Sequence, residues 1–232
     1  MFNKTLVPQS VARDLQTMIQ TGALKPGEKI PSQREFSQKL GVSRASLREA
    51  LLTLETLGLL KTEAGRGTFV TDPAESAQGA SGEMAPWRYS DRYSVFDVFQ
   101  TRILLEGEIA RLSAGRLAEL QLDQMERATQ TMEECWARQD RLANVEADLA
   151  FHGIIVSACS NAMLQALYHT VRDQVTETQR QPIPITDPER MKDSIAEHRR
   201  IIAALRANNG PEAKQAMESH IRNTARCAGL LP

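Results

Sequence analysis

Residues 22–70 read GALKPGEKIPSQREFSQKLGVSRASLREALLTLETLGLLKTEAGRGTFV, and the punctuation of this stretch decides the architecture of the N-terminal part of the chain. Ser32 follows Pro31 and stands three residues before Glu35, the spacing at which a serine hydroxyl caps a helix and a glutamate returns the bond. This predicts a helix over SQREFSQKL that stops at Gly41, where a left-handed residue lets the chain leave a helix sharply. Ser43 then starts a longer helix, RASLREALLTLETLG, with Val42, Leu47, Leu51, Leu54 and Leu57 as its inward residues. Beyond it, LLKTEA and GTFVT are two extended pieces around Gly65-Arg66-Gly67, the composition of a hairpin tip. Upstream, Pro8 to Ile19 carries Val11, Leu15, Met18 and Ile19 on one helical face and is stopped by Gly22 and Pro26-Gly27.

A bracing helix, a tight turn and a second helix are the parts of a helix-turn-helix, whose second helix enters the major groove of DNA. The N-terminal end of that second helix carries Ser43, Arg44, Ser46 and Arg48. An arginine fork can bond guanine O6 and N7 together, and small hydroxyl residues reach bases or phosphates without blocking close approach. Arg34, at the start of the bracing helix, is placed for a phosphate or a base. Gly65 and Arg66 at the hairpin tip offer small backbone and a cation, both favoured in the minor groove. Taken singly, each residue also fits a solvated surface. The combination of cap, turn, basic helix start, apolar seam and hairpin points to double-stranded DNA.

The bulk properties agree with a two-part chain. A hydrophobic content of 41% with 25% charged residues is that of a globular protein, and only 5% aromatic residues favour helix packing over a β-sandwich. No apolar run approaches a membrane span, and MFNKTLVPQS lacks the apolar stretch of a secretory signal. Cys135, Cys159 and Cys227 form no CxxC pair and read as reduced thiols, so a cytoplasmic location is expected. Residues 1–71 hold ten Lys/Arg against six Asp/Glu, whereas residues 72–232 hold eighteen against twenty-three. A basic head on an acidic body suits a protein in which one part meets a polyanion. Residues 72–93 are rich in Ser, Gly, Ala and Pro and read as a linker. From Val95 the pattern is helical, with six helices near 95–116, 118–138, 142–159, 161–180, 188–207 and 211–228. The expected fold is therefore mainly α: a winged helix-turn-helix with a small β wing over 1–71, a linker over 72–93, and an all-α six-helix bundle over 94–232.

The helical part concentrates a second set of candidates. Asp148 and His152 are four apart on one predicted helix and share a face. His198 and His220 lie on two later helices that could fold back against the first. One anionic oxygen and three imidazoles suit a divalent metal, Zn²⁺ first with Ni²⁺, Fe²⁺ or Mn²⁺ as alternatives, and leave positions open for water or a carboxylate. On spacing alone, the same residues also fit polar surface or satisfied core. Arg102 and Glu106, one turn apart, read plainly as an exposed i,i+4 ion pair, and Asn161 as a helix N-cap. His169 falls outside the set.

The stretch over residues 22–70 closely resembles the winged helix of the GntR family of bacterial regulators, through its G-x-L-x-P-G, P-S-x-R-E, L-G-V-S-R, L-R-E-A-L and G-R-G-T-F-V elements. The resemblance implies a homodimer on a short palindrome, with Arg34, Arg44 and Arg48 as base or phosphate contacts and Gly65 at the minor groove. Ala45 stands where some relatives carry a hydroxyl residue, which would alter the preferred base. Residues 95–228 resemble the FCD sensor domain of the FadR subgroup, through TRILLEGEIARLSA, EADLAFHGIIVSACSNAML, EHRRIIAAL and MESHI. That resemblance implies Asp148, His152, His198 and His220 as metal ligands. It implies Arg102 as the grip on an effector carboxylate, with Arg172 as a second cavity candidate. The function so implied is a ligand-responsive regulator, by default a repressor, and not an enzyme. The alternative, a metal-dependent hydrolase or lyase with Glu197 as acid–base, sits poorly with a DNA-reading head.

Overall fold

The computed structural model describes residues 6–72 and 86–231, and the chain divides into two compact units, 1–86 and 87–232. Residues 73–85, the larger part of the expected linker, lie outside the described residues. In the first unit, helices α1 (Leu6–Gln20), α2 (Gln33–Leu40) and α3 (Arg44–Thr56) precede strands β1 (Leu60–Glu63) and β2 (Gly67–Val70). The Ser32 hydroxyl accepts the Glu35 amide at 3.3 Å and starts α2, which Gly41 ends at φ 67°. The Ser43 hydroxyl accepts the Ser46 amide at 3.0 Å and starts α3. Both α1 and α2 pack on α3, around Leu15, Phe36, Leu47, Leu54 and Leu57, all buried. Val42, Met18 and Ile19 are only half-buried, and Ala12 and Gln16 take the covered places on α1 instead.

The strands form an antiparallel hairpin with Leu60 opposite Val70. A third extended stretch, which the sequence pattern did not announce, runs along the other edge of β2. The Gly27 amide donates to the Val70 carbonyl, Val70 to Glu28 and Ile30 to Thr68, at 2.8–2.9 Å. This stretch is too short to show an alternation of its own. Its backbone pairing nonetheless satisfies the exposed side of the wing.

The second unit begins inside the expected linker. Trp87 Nε1 donates to the Tyr93 carbonyl at 2.7 Å, Tyr89 stacks on Tyr93, and Gln174 Nε2 donates to the Tyr93 hydroxyl at 2.8 Å. Helices α4 (Val95–Ser113), α5 (Glu119–Ala137), α6 (Arg141–Ala158), α7 (Ala162–Thr170), α8 (Arg172–Arg180), α9 (Pro188–Arg206) and α10 (Gly210–Cys227) follow, with a single 3-10 turn at Ile183–Ile185. The segment expected as one helix over 161–180 is two. Val171 (φ −101°, ψ 9°) closes α7 and opens α8, a break that no glycine or proline marks. Asn161 caps α7 as expected, its Oδ1 accepting the Met163 and Leu164 amides. Helix α10 lies along α4, α5 along α6, and α9 against both α10 and α5, while α6 also touches α4 and α8. Phe99, Ile109, Met125, Phe151, Ile155, Ile201 and Ile221 fill the space between them. All three cysteines are unpaired. Among the described residues, no helix is long and apolar enough to cross a membrane.

Candidate metal centre, effector cavity and DNA-reading face

Helices α6, α9 and α10 bring Asp148, His152, His198 and His220 together, with one ligand atom from each lying within 4.8 Å of all the others. All three histidines are at most 4% exposed. The Asp148 carboxylate oxygen Oδ1 stands 3.0 Å from His198 Nε2 and 3.8 Å from His152 Nε2. Two of the rings are held from behind through a hydrogen bond at Nδ1. His198 Nδ1 donates to the Ser194 carbonyl at 2.7 Å, and His220 Nδ1 donates to Glu197 Oε2 at 2.8 Å. His152 Nδ1 lies 2.6 Å from Glu106 Oε2, close but poorly aligned for a hydrogen bond. Carboxylates and carbonyls behind metal-binding histidines fix the tautomer and the ring orientation in this way. Phe151 packs edge-on against His198, with ring centroids 4.5 Å apart.

Two features test whether a cation fits. With Nδ1 of His198 donating to a carbonyl, Nε2 is left to face the Asp148 carboxylate, either bonding it through a proton or, with that proton gone, standing with the carboxylate as two donors to a cation. His152 Nε2 is buried without any hydrogen-bond partner. Burial would raise the Asp148 carboxyl, but the neighbouring His152 and His198 imidazoles, which favour its ionised form, outweigh it and hold Asp148 well below the usual carboxylate range. Burial first, then His198, pushes His220 down to about 4 against the pull of Glu197, so its ring is neutral near pH 7. An ionised carboxylate with neutral imidazole is the state in which these groups bind metals. The donor set fits one divalent ion.

Arg102 and Glu106 are far from the exposed pair suggested by their spacing. They are 1% and 2% exposed, with Arg102 Nε 2.6 Å from Glu106 Oε1. Arg102 Nη1 also donates to the Thr178 hydroxyl at 3.2 Å. Burial opposes ionisation of Glu106, yet Arg102 and His152 hold its carboxyl down to about 2. Glu106 thus joins Arg102 to a candidate ligand. A parallel arrangement occurs on α9 and α10, where Arg190 donates to both Glu197 oxygens at 3.0–3.1 Å and Asn223 donates to Glu197 Oε1 at 2.7 Å. Burial of Glu197 is likewise outweighed, by His220 above all, and its carboxyl falls to about 2. Its oxygens are taken by Arg190, His220 and Asn223, which leaves none free for the acid–base role weighed above.

A cavity of about 50 Å³ opens beside Asp148 and His220 and is lined also by Arg102, Arg190, Gln179 and Thr224. That is room for a few waters or the polar end of a small organic acid. Arg172 is not part of it: it is exposed at the start of α8. Arg190 and Gln179 are cavity residues that sequence reasoning missed, since an arginine or a glutamine on a helix ordinarily reads as surface.

In the first unit, Arg34, Arg44 and Arg48 are exposed and, among the described residues, make no ion pair. The Ser43 and Ser46 hydroxyls lie 2.8 Å apart, so Ser43 is occupied in capping α3 and in this contact. Gly65 (φ 73°) adopts a backbone that favours glycine at the wing tip. Arg66 is paired with Glu63 and lies over the Phe69 ring at 5.5 Å, which makes it less available than the three helix arginines.

A winged helix-turn-helix followed by an all-helical domain with a buried polar centre defines a two-domain transcriptional regulator. Residues 8–70 match the model for bacterial regulatory proteins of the gntR family and residues 97–223 match the FCD domain, and the chain belongs to this family of DNA-binding regulators rather than to an enzyme family. It is 31% identical to the HTH-type transcriptional regulator LutR of Bacillus subtilis (strain 168), over 89% of this chain and 94% of that protein. It is 29% identical to the Uxu operon transcriptional regulator of Escherichia coli (strain K12), over 93% and 84% respectively. The solved structure of E. coli McbR/YncC shares the fold, with a TM-score of 0.56 and 17% identity over 96% of this chain and 97% of that one.

Proposed function

We propose that the protein is a homodimeric, cytoplasmic repressor that binds a palindromic operator and is controlled by a small carboxylate effector held in the helical cavity. The observation that carries this reading is the convergence of Asp148 and three histidines, two of them held through Nδ1, beside a cavity lined by Asp148, His220 and Arg102. Asp148, His152, His198 and His220 would hold a divalent ion, Zn²⁺ first with Ni²⁺, Fe²⁺ or Mn²⁺ as alternatives. Such an ion supplies a Lewis-acidic position for an effector oxygen. Arg102 offers the second grip, since a guanidinium fork matches a carboxylate. To take an effector it must share or release Glu106, so occupancy would be felt on α4 and, through His152, on α6. Coupling to the DNA-reading head is reciprocal: an acid that weakens operator binding must itself bind more weakly to the operator complex. Arg34, Arg44 and Arg48, with Ser46 beside them, are the proposed readers, and Gly65 and Arg66 the wing contacts.

Metal analysis of the purified chain tests the foundation of this reading. One divalent ion per chain is expected, retained through dialysis and absent from the His198→Ala and His220→Ala variants. A metal content that is unchanged in both variants would refute the site.

A further inference from the structure

Most polar side chains around the cavity already have partners. Arg102 is held by Glu106 and Thr178, and Arg190 by Glu197. Asn144 donates to the Met132 carbonyl at 2.8 Å, the Thr186 hydroxyl to the Pro182 carbonyl at 2.8 Å, and the Thr224 hydroxyl to the His220 carbonyl at 3.0 Å. Gln179 is different. Its side chain is 6% exposed and lines the cavity, and neither Oε1 nor Nε2 has a hydrogen-bond partner. A buried amide with both ends unmet is rare in folded interiors and calls for a partner from elsewhere. On α8 it directly follows Thr178, the residue that bonds Arg102, so the open amide stands next in sequence to the support of the proposed carboxylate grip.

We propose that Gln179 is a specificity-determining residue that reads a hydroxyl group of the effector. The inference rests on the reading of this cavity as a carboxylate site. An amide offers two N–H donors and a carbonyl acceptor, and a hydroxyl is the small neutral group able to meet either end. A second carboxylate would satisfy only Nε2 and would place further negative charge near Asp148. An alkyl group would satisfy neither end and would seal the amide away from water. The cavity therefore favours a short hydroxy acid over its deoxy counterpart.

The test is calorimetric titration of the full-length, Zn²⁺-loaded protein with matched acids that differ by one hydroxyl: glycolate against acetate, lactate against propionate, malate against succinate. In at least one pair the hydroxy acid is expected to bind roughly ten- to hundredfold more tightly, the discrimination that one buried hydrogen-bonding group confers. Gln179→Leu should bring the two acids of that pair together by weakening the hydroxy acid alone, with a thermal midpoint no lower than that of the parent. Equal binding of both acids by the parent, or an undiminished preference in Gln179→Leu, overturns the assignment and leaves the carboxylate reading standing. A variant that loses thermal stability and both acids together also overturns it, because Gln179 would then support the fold. Failure of every acid to bind the metal-loaded parent would instead remove the carboxylate reading itself.

Discussion

Glu106→Ala separates two accounts of the same pair by magnitude. If Arg102 and Glu106 formed the exposed i,i+4 bridge that their spacing suggests, its loss would cost about 0.2–1 kcal/mol. In the structure both side chains are essentially buried, and Glu106 links Arg102 at 2.6 Å to the His152 ring. Its removal leaves a buried guanidinium with, among the described residues, the Thr178 hydroxyl as its remaining hydrogen-bond partner. Breaking a buried pair in this way costs about 3–5 kcal/mol, because the remaining charge is stranded. Trp87 and Trp136, the two tryptophans of the chain, both lie in the helical unit, so their fluorescence follows that unit through urea unfolding. With an m-value of about 2 kcal/mol per molar urea, the midpoint should fall by roughly 2 M. Parent and variant are compared in excess chelator, so that lost metal affinity is not read as lost stability. A companion variant, Arg102→Met with Glu106→Leu, removes both charges and should recover more than half of the loss. A midpoint shift below roughly 0.5 M for Glu106→Ala, or no recovery in the double variant, would refute the stranded-charge argument.

Arg44→Ala and Arg48→Ala should each weaken operator binding, by about 1–3 kcal/mol where the residue reads a base, with thermal stability unchanged because both arginines are exposed and make no ion pair among the described residues. Fluorescence anisotropy on a duplex selected from random DNA measures this, and unchanged affinity in both would remove α3 as the reading helix. Gly41→Ala should cost about 1–2 kcal/mol from the left-handed backbone alone, since an added Cβ meets nothing within 4 Å. A urea midpoint equal to that of the parent, followed by circular dichroism, would contradict that. Arg190→Ala frees Glu197, which orients His220, and should lower metal affinity by about tenfold or more in a chelator competition. Unaltered affinity would show that Arg190 plays no part in positioning the ligand.

The head was legible because its signals are local. A serine three residues before a glutamate, a glycine after a short helix and a Gly-Arg-Gly tip each act within one turn of chain. The pairing of residues 27–30 with β2 escaped notice because it depends on a partner some forty residues away. In the second unit the spacing of Asp148 and His152 showed a shared face, but not that His198 and His220 would meet them, and the resemblance supplied that expectation. Burial was the quantity least visible. Arg102 and Glu106 have the same spacing whether a helix faces water or core, and Arg190 reaches Glu197 across two turns, beyond the one-turn pairing used to read helices. Val171 ends α7 without a glycine or proline to mark the break, so the division of 161–180 carried no punctuation in the sequence. Gln179 carried no sequence signal, since only its surroundings make an ordinary surface residue type into an open amide.

The most direct measurement of the central claim is the operator affinity of the parent and of His198→Ala, each with and without a carboxylic acid shown to bind the metal-loaded parent. The account predicts that the acid shifts operator affinity of the parent at least fivefold, the lower end of ordinary allosteric coupling. His198→Ala should bind the operator as the parent does without acid, yet fail to respond. An acid response of equal size in both proteins, or none in the metal-loaded parent, would contradict the account.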